Sequence, residues 1–173
     1  MKPTIILCLA LALMTFKLRA LELAIESSKT VLKSSEAVSF VVTFHNNSTN
    51  NVLLSCGAVL GNGQQSWNSL EAELKNEAGQ QIPMTLHWGV GAVSGRIYFL
   101  GLPLRAGSSY GLLVNPNDYY VGGGECLKPG KYEINFAFHG KQPSSTIRDS
   151  TQMPACWEGE VRSNTLKFEV LAE

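Results

Sequence analysis

Four segments of the chain alternate apolar and polar residues with a period of two, the pattern of a strand with one buried face. The first two run from Leu21 to Glu26 and from Val38 to His45. The other two lie near the end of the chain, from Lys131 to Phe138 and from Thr165 to Val170. This placement predicts a core that the beginning and the end of the chain build together.

Weaker strand candidates lie between these segments and are separated by turn-forming residues. They are Val52 to Ser55, Leu70 to Lys75, Gln81 to Leu86, Arg96 to Leu100 and Tyr110 to Val114. After residue 20, no stretch sustains an apolar period of 3.6 over about ten residues, so we expect helices to be short turns at most. Many short strands with frequent turns predict an all-β sandwich or barrel.

The beginning of the chain has the features of an export signal. Residues from Ile5 to Phe16 are almost uninterrupted apolar sequence, and Ala20 ends the short polar stretch that follows. We therefore predict a signal peptide over 1–20 and one secreted or periplasmic domain over 21–173, with the mature chain beginning near Leu21. The apolar run is shorter than the roughly 20 residues that span a bilayer, so no stable membrane anchor is expected.

Composition narrows the classes of partner. The chain has 173 residues, which suits one domain, and its 14 Lys and Arg balance its 14 Asp and Glu. No net field therefore attracts nucleic acid or an anionic surface, and we predict no nucleic-acid partner. Because 45% of the residues are hydrophobic, the composition favours a folded core over disorder.

The sequence offers no catalytic or cofactor motif that its context supports. Gly107 to Gly111 fits the G-x-S-x-G pattern of hydrolases, but it leads into a predicted strand, whereas the hydrolase turn leads into a helix. Gly122 to Gly124 likewise precedes no helix that would make it a phosphate cradle. No metal-ligand spacing joins the three histidines, His45, His87 and His139. We therefore predict a protein without enzymatic activity, metal or cofactor.

Four motifs follow one another from Lys29 to Val170. They are KTVLKSSEAVSFVVTFHNNS, FLGLPLRAGSSYGLLVN, LKPGKYEINFAF and WEGEVRSNTLKFEV. Their order resembles a bacterial secreted immunoglobulin-like module, and the layout is also similar to deuterolysin-type propeptides and the intracellular proteinase inhibitor family. The resemblance implies an immunoglobulin-like antiparallel β-sandwich of about seven to nine strands. Tyr132, just after Pro129 and Gly130, is similar to the tyrosine corner of such sandwiches, whose hydroxyl bonds to upstream backbone.

Three cysteines remain after the predicted signal, and an oxidising compartment would let one pair close. In a sandwich with this strand order, the end of the third strand and the loop before the PGKY strand lie at one end, which favours a disulfide between Cys56 and Cys126. Cys156 is the rival partner for Cys126. The remaining thiol is expected to be buried and inert, and the alternative is a nucleophile or an intermolecular bridge.

The long segment from Gly140 to Arg162 is the predicted binding region, because two strongly patterned strands flank it. Within it, Trp157 is the predicted anchor and Pro154 restricts the backbone beside it. In the alternative, Trp157 packs back on the sandwich as a lid. The predicted function is a non-catalytic binding module for a protein partner. The resemblance implies an alternative, an inhibitor or propeptide-like regulator of a secreted peptidase.

Overall fold

The computed structural model describes residues 20–34, 36, 39–59, 65–86, 98–114, 119–121, 127–143 and 156–172. Within these ranges the chain forms strands and no helix, which confirms the predicted all-β class. The strands are β1 (Leu21–Glu26), β2 (Val31–Lys33), β3 (Phe40–Asn46), β4 (Val52–Val59), β5 (Gln65–Ser66), β6 (Leu70–Asn76), β7 (Gln81–Ile82), β8 (Met84–Leu86), β9 (Tyr98–Leu104), β10 (Ser109–Val114), β11 (Tyr119–Val121), β12 (Gly130–Gly140), β13 (Gly159–Arg162) and β14 (Leu166–Leu171).

The strands form an antiparallel sandwich, as predicted. One sheet has the order β2-β14-β12-β6-β7, with β13 also paired to β12, and the other has the order β1-β3-β10. A further sheet of β5, β4 and β9 is linked to β3 and β10 through two corners, and β8 pairs with β11. Among these pairs only β2 and β14 run parallel, because the chain crosses from one sheet to the other between β1 and β2.

Phenylalanines from β3, β12 and β14 fill the space between the two main sheets. The ring of Phe44 meets that of Phe138 edge to face, with centroids 5.2 Å apart. Phe40 packs in the same way against Phe136 and Phe168, at 6.2 and 6.0 Å. Edge-to-face pairs add about 0.5 to 1.5 kcal/mol beyond the burial of their area. The alternating segments at the two ends of the chain therefore build one core, as the sequence predicts.

The described residues form 14 strands, more than the seven to nine expected, because very short strands show no hydrophobic period. Each of the predicted segments overlaps a described strand, although Val38, Arg96 and Ile97 lie outside the described residues. Pro83 divides the segment from Gln81 to Leu86 into β7 and β8. A proline cannot donate a backbone hydrogen bond to a neighbouring strand, which explains the break. The unpredicted strands β2, β5, β11 and β13 have two to four residues each, too few to show a period.

The side chain of Asn46 holds together the two corners at which the chain leaves the β1-β3-β10 sheet. It is fully buried, and its amide nitrogen donates to the carbonyl oxygens of Asn50, at 2.9 Å, and Leu104, at 3.1 Å. Its carbonyl oxygen accepts a bond from the Ser48 backbone at 3.0 Å. The Asn46 backbone also bonds Ser108 and Gly107. One residue thus joins the β3–β4 turn to the β9–β10 corner.

Tyr132 makes the predicted tyrosine corner. Its hydroxyl donates a hydrogen bond of 2.6 Å to the carbonyl oxygen of Lys128, four residues upstream. The ring is buried and stacks on Phe168 with centroids 5.5 Å apart. Burial raises the pKa of the Tyr132 hydroxyl above its ordinary value.

Replacing Asn46 tests whether the two corners depend on its amide. In Asn46→Ala the buried carbonyl of Leu104 loses its side-chain partner and the Ser48 backbone loses an acceptor. We expect the free energy of unfolding in urea to fall by about 2 to 4 kcal/mol. The matched control is Asn47→Ala, which removes only an exposed bond to Glu22 and should cost less than about 0.5 kcal/mol. Equal losses for the two variants would contradict this role.

Candidate functional site

Strand β10 forms one edge of its sheet, and among the described strands it pairs only with β3. The Asn46 N–H donates to the Ser108 carbonyl oxygen at 3.0 Å, which sets the alternation of the antiparallel ladder. The N–H and C=O groups of Ser109, Gly111 and Leu113 therefore point away from β3. These backbone groups are available to a further strand.

The side chains of β10 are uncharged and unusually exposed. Leu113 is 59% exposed and Tyr110 is 38% exposed. Leu113 lies on the outer face of the sheet beside Val41, whereas Tyr110 lies on the core-facing side opposite Phe44. Large apolar side chains at an unpaired edge are rare in proteins that stay free of partners, because such edges template pairing with other chains.

The outer face of the sheet carries small residues beside β10. Ala24, Thr43 and Gly111 lie in one row across β1, β3 and β10. A Cβ atom added to Gly111 would lie 3.5 Å from the Cγ1 of Val41 and 3.9 Å from the Oγ1 of Thr43, which is ordinary van der Waals contact, so the glycine leaves room for a small side chain between these neighbours. Leu113 therefore stands beside a shallow depression on the same face of the strand.

The opposite edge of this sheet, on β1, is plugged at Ile25. The side-chain oxygen of Asn164 accepts a bond from the Ile25 N–H at 2.8 Å, and its amide nitrogen donates to the Ile25 carbonyl at 3.0 Å. The Asn164 amide thus occupies the place of a paired residue on β1. A side chain that satisfies an edge in this way blocks its use by another strand.

Other described edges carry protective features of their own. β9 contains Pro103, which has no N–H to offer. β2 is three residues long and is flanked by the ion pair of Lys29 and Glu36, at 2.6 Å. β5 and β7 have two residues each. Among the described strands of six residues or more, β10 is therefore the edge that lacks a plug, a proline or a charge.

Trp157, the predicted anchor, packs against the sandwich. Its ring is half-buried and lies 6.0 Å from the ring of Phe138, and its backbone N–H donates to Leu53 on β4 at 2.8 Å. The cross-strand pair Gly140 and Gly159 leaves room for the indole, because Cβ atoms there would lie 2.3 and 3.0 Å from its carbons. This placement favours the lid alternative for the ring, and a binding role stays a prediction.

The loop predicted from Gly140 to Arg162 is shorter in the structure, because Gly159–Arg162 form β13 against β12, and its base is anchored on both sides. The Gln142 side chain donates to the Cys156 carbonyl at 2.8 Å and accepts from its N–H at 3.3 Å. Cys156 also forms a parallel bridge with Leu53. Pro154 lies outside the described residues, so its predicted part in binding stays a prediction.

Cys56 lies fully buried in the core, at an irregularity of β4 between Ser55 and Gly57. Burial raises the pKa of the Cys56 thiol to about 12, so it carries almost no thiolate at neutral pH and is a poor nucleophile. Cys126 lies outside the described residues. The predicted Cys56–Cys126 disulfide therefore stays a prediction.

The outer face of the six-stranded sheet is covered with ion pairs. Arg162 bonds Glu73 and Glu160, at 2.5 and 2.7 Å, and Lys167 bonds Glu133 at 2.8 Å. The hydrogen bond from Arg162 holds the pKa of the Glu73 carboxyl below its usual value. A groove of about 460 Å³ at one end of this sheet is lined by charges of both signs, so it favours no one class of charged ligand.

The residues considered for chemistry are dispersed in the structure. The segment from Gly107 to Gly111 leads into strand β10, as predicted, and His45 bonds Ser109 at 2.6 Å. His139 faces two carboxylates, Glu71 at 3.3 Å and Glu160 at 3.6 Å. Within the described ranges, no group of three or more His, Cys, Asp or Glu residues is placed to hold a metal ion. His87 and Gly122 to Gly124 lie outside these ranges.

The predicted signal peptide cannot be followed in the structure, since residues 1–19 lie outside the described part of the chain. In the described part, no helix has the length and apolar character to cross a membrane.

Comparison with known proteins does not assign this chain to a family. No family model matches the sequence, and no curated protein matches it. Among solved structures, the chain is similar to a novel β-glucosidase from Erythrobacter marinus, with 11% identity and a TM-score of 0.43 over 87% of this chain. This chain spans 15% of the length of that chain. A likeness at this level carries no argument about function.

Replacing Trp157 tests whether its ring is structural. Trp157→Ala removes the contact with Phe138 and leaves a space above two glycines. We expect the free energy of unfolding to fall by about 2 to 4 kcal/mol. Tyr98→Ala, which removes an aromatic ring that is 56% exposed, is the control and should cost less than about 1 kcal/mol. Unchanged stability of Trp157→Ala together with lost capture of proteins from the native extracellular fraction would instead support the anchor.

Proposed function

We propose that this protein is a non-catalytic binding module that acts outside the cytoplasm and holds a protein partner through the edge of β10. The observation that carries the proposal is an uncharged strand edge that no described strand covers, with Tyr110 and Leu113 exposed on it. The proposed location rests on the apolar segment from Ile5 to Phe16.

Binding at this edge uses strand addition. An extended segment of the partner accepts and donates hydrogen bonds at Ser109, Gly111 and Leu113, which face away from β3. Such backbone bonds supply affinity, and the side chains that flank them supply specificity. Leu113 on one face and Tyr110 on the other would lose exposed apolar area when a strand covers the edge.

The edge is rigid enough to bind without a large ordering cost. β3, which carries it, has its core-facing residues fully enclosed between the sheets, among them Val42 and Phe44. The corner before β10 is held by the Asn46 backbone and by Ser108, whose backbone N–H donates to the Arg105 carbonyl at 3.1 Å. A preformed strand loses little conformational entropy on binding, which favours affinity.

The peptidase-regulator alternative rests on the resemblance and on the segment around Met153 to Cys156. Most of that segment lies outside the described residues. The peptidase-regulator role therefore stays a prediction.

A charge placed on the edge tests the proposal. In Leu113→Lys, pairing with a partner strand would bring a charged group against that strand, and we expect capture of the partner from the native extracellular fraction to fall at least tenfold. Leu171→Lys is the matched control, since Leu171 is a leucine with 43% exposure on a different strand. We expect Leu171→Lys to capture as much partner as the wild type does. Both variants should keep the wild-type melting temperature.

The same experiment can overturn the proposal. If Leu113→Lys captures as much partner as Leu171→Lys while both remain folded, the β10 edge is not the binding site.

A further inference from the structure

We propose that the β10 edge pairs with the β10 edge of a second copy of this chain, forming a two-fold symmetric dimer with one continuous sheet. This inference rests on the proposed function, because it names the partner of the same edge. The direction of the backbone groups, the shape of the outer face and the lack of charge on β10 all suit pairing with a second copy.

The backbone groups define which pairings are allowed. A two-fold axis makes the two strands antiparallel, and the groups that face outward belong to Ser109, Gly111 and Leu113. A register with Gly111 opposite Gly111 and Ser109 opposite Leu113 satisfies all of these groups. A register with Gly111 opposite Leu113 satisfies the groups of those two residues, since each such pair exchanges both bonds, and it places Ser109 opposite the residue after Val114. In this register Leu112 lies opposite Leu112 of the second copy, at the axis.

The shape of the outer face favours this register. Paired residues share a face of the sheet, so the protruding side chain of Leu113 lies over Gly111 of the second copy. Gly111 has no side chain of its own and would accept a Cβ in ordinary van der Waals contact, and Leu113 is 59% exposed in the single chain. The protrusion and the depression therefore cover each other twice, once on each side of the axis.

The core-facing side is complementary as well. In the same register Tyr110 lies opposite Val114 of the second copy, and Leu112 meets its own equivalent. All of these side chains are apolar or aromatic, and Tyr110 is 38% exposed before pairing. The pairing therefore extends the apolar layer of each sandwich across the axis.

The charge pattern permits self-pairing. β10 has the sequence SYGLLV and carries no ionisable side chain other than the tyrosine hydroxyl. A two-fold axis places like residues close together, so a charged strand would repel its own copy. A single strand pair is small against the roughly 1,200 to 2,000 Å² that a stable interface buries, so we expect a dimer that dissociates in the micromolar range or above.

Sedimentation of the mature chain over a range of concentrations measures the association. We expect a monomer–dimer equilibrium for the wild type, at least tenfold weaker association for Leu113→Lys, and wild-type association for Leu171→Lys. A wild type that stays monomeric up to about millimolar concentration, or a dimer that Leu113→Lys leaves unchanged, would overturn the proposal.

Cysteine cross-linking tests the register. Opposed residues at the axis have Cα atoms within disulfide range, so oxidised Leu112→Cys should give a covalent dimer. The control is Val31→Cys, which places a cysteine at a position of 46% exposure on β2. It should give no more covalent dimer than the wild type. Cross-linking of Gly111→Cys in place of Leu112→Cys would show a different register and overturn the one proposed.

These results also separate the two proposals. A monomeric wild type whose capture of another protein still depends on Leu113 rejects the dimer and retains the binding function. Capture that does not respond to Leu113→Lys rejects the binding function itself.

Discussion

The buried amide of Asn46 is the interaction on which the arrangement of the strands depends. The chain turns from β3 into β4 at one corner and from β9 into β10 at the other. Both corners accept a hydrogen bond from the Asn46 side chain. A buried amide without these partners would cost several kcal/mol, so the two corners keep their positions together. The register of β10 on β3 follows, and with it the direction of every backbone group on β10.

The proposed binding surface differs from the other described sheet edges in having no feature that blocks strand pairing. Asn164 plugs β1 at Ile25 with a pair of hydrogen bonds, Pro103 removes one N–H from β9, and the edge strands β2, β5 and β7 are short. These features oppose unwanted pairing, which exposed strands invite. β10 has none of them, although it has six residues and a protruding leucine. An interaction site is a physical reason for leaving such an edge open.

The strands of the core could be predicted because their burial repeats every second residue, as in the segment from Leu21 to Glu26. The open edge could not, since strand order is set by contacts between segments far apart in sequence. A signal for it does exist: Leu112, Leu113 and Val114 break the alternation and make both faces of the strand apolar. The packing of Trp157 could not be predicted either. Its ring fits over Gly140 and Gly159, and these two glycines become neighbours only when β12 pairs with β13.

Amide hydrogen exchange along β10 tests most directly whether this edge is open. At concentrations where the mature chain is monomeric, the amides of Gly111 and Leu113 should exchange rapidly, because they point away from β3. Those of Tyr110 and Leu112 should be protected by their bonds to β3. Raising the concentration should then slow exchange at Gly111 and Leu113. Equal, strong protection of all four amides in the monomer would show that the edge is already paired and would contradict the account.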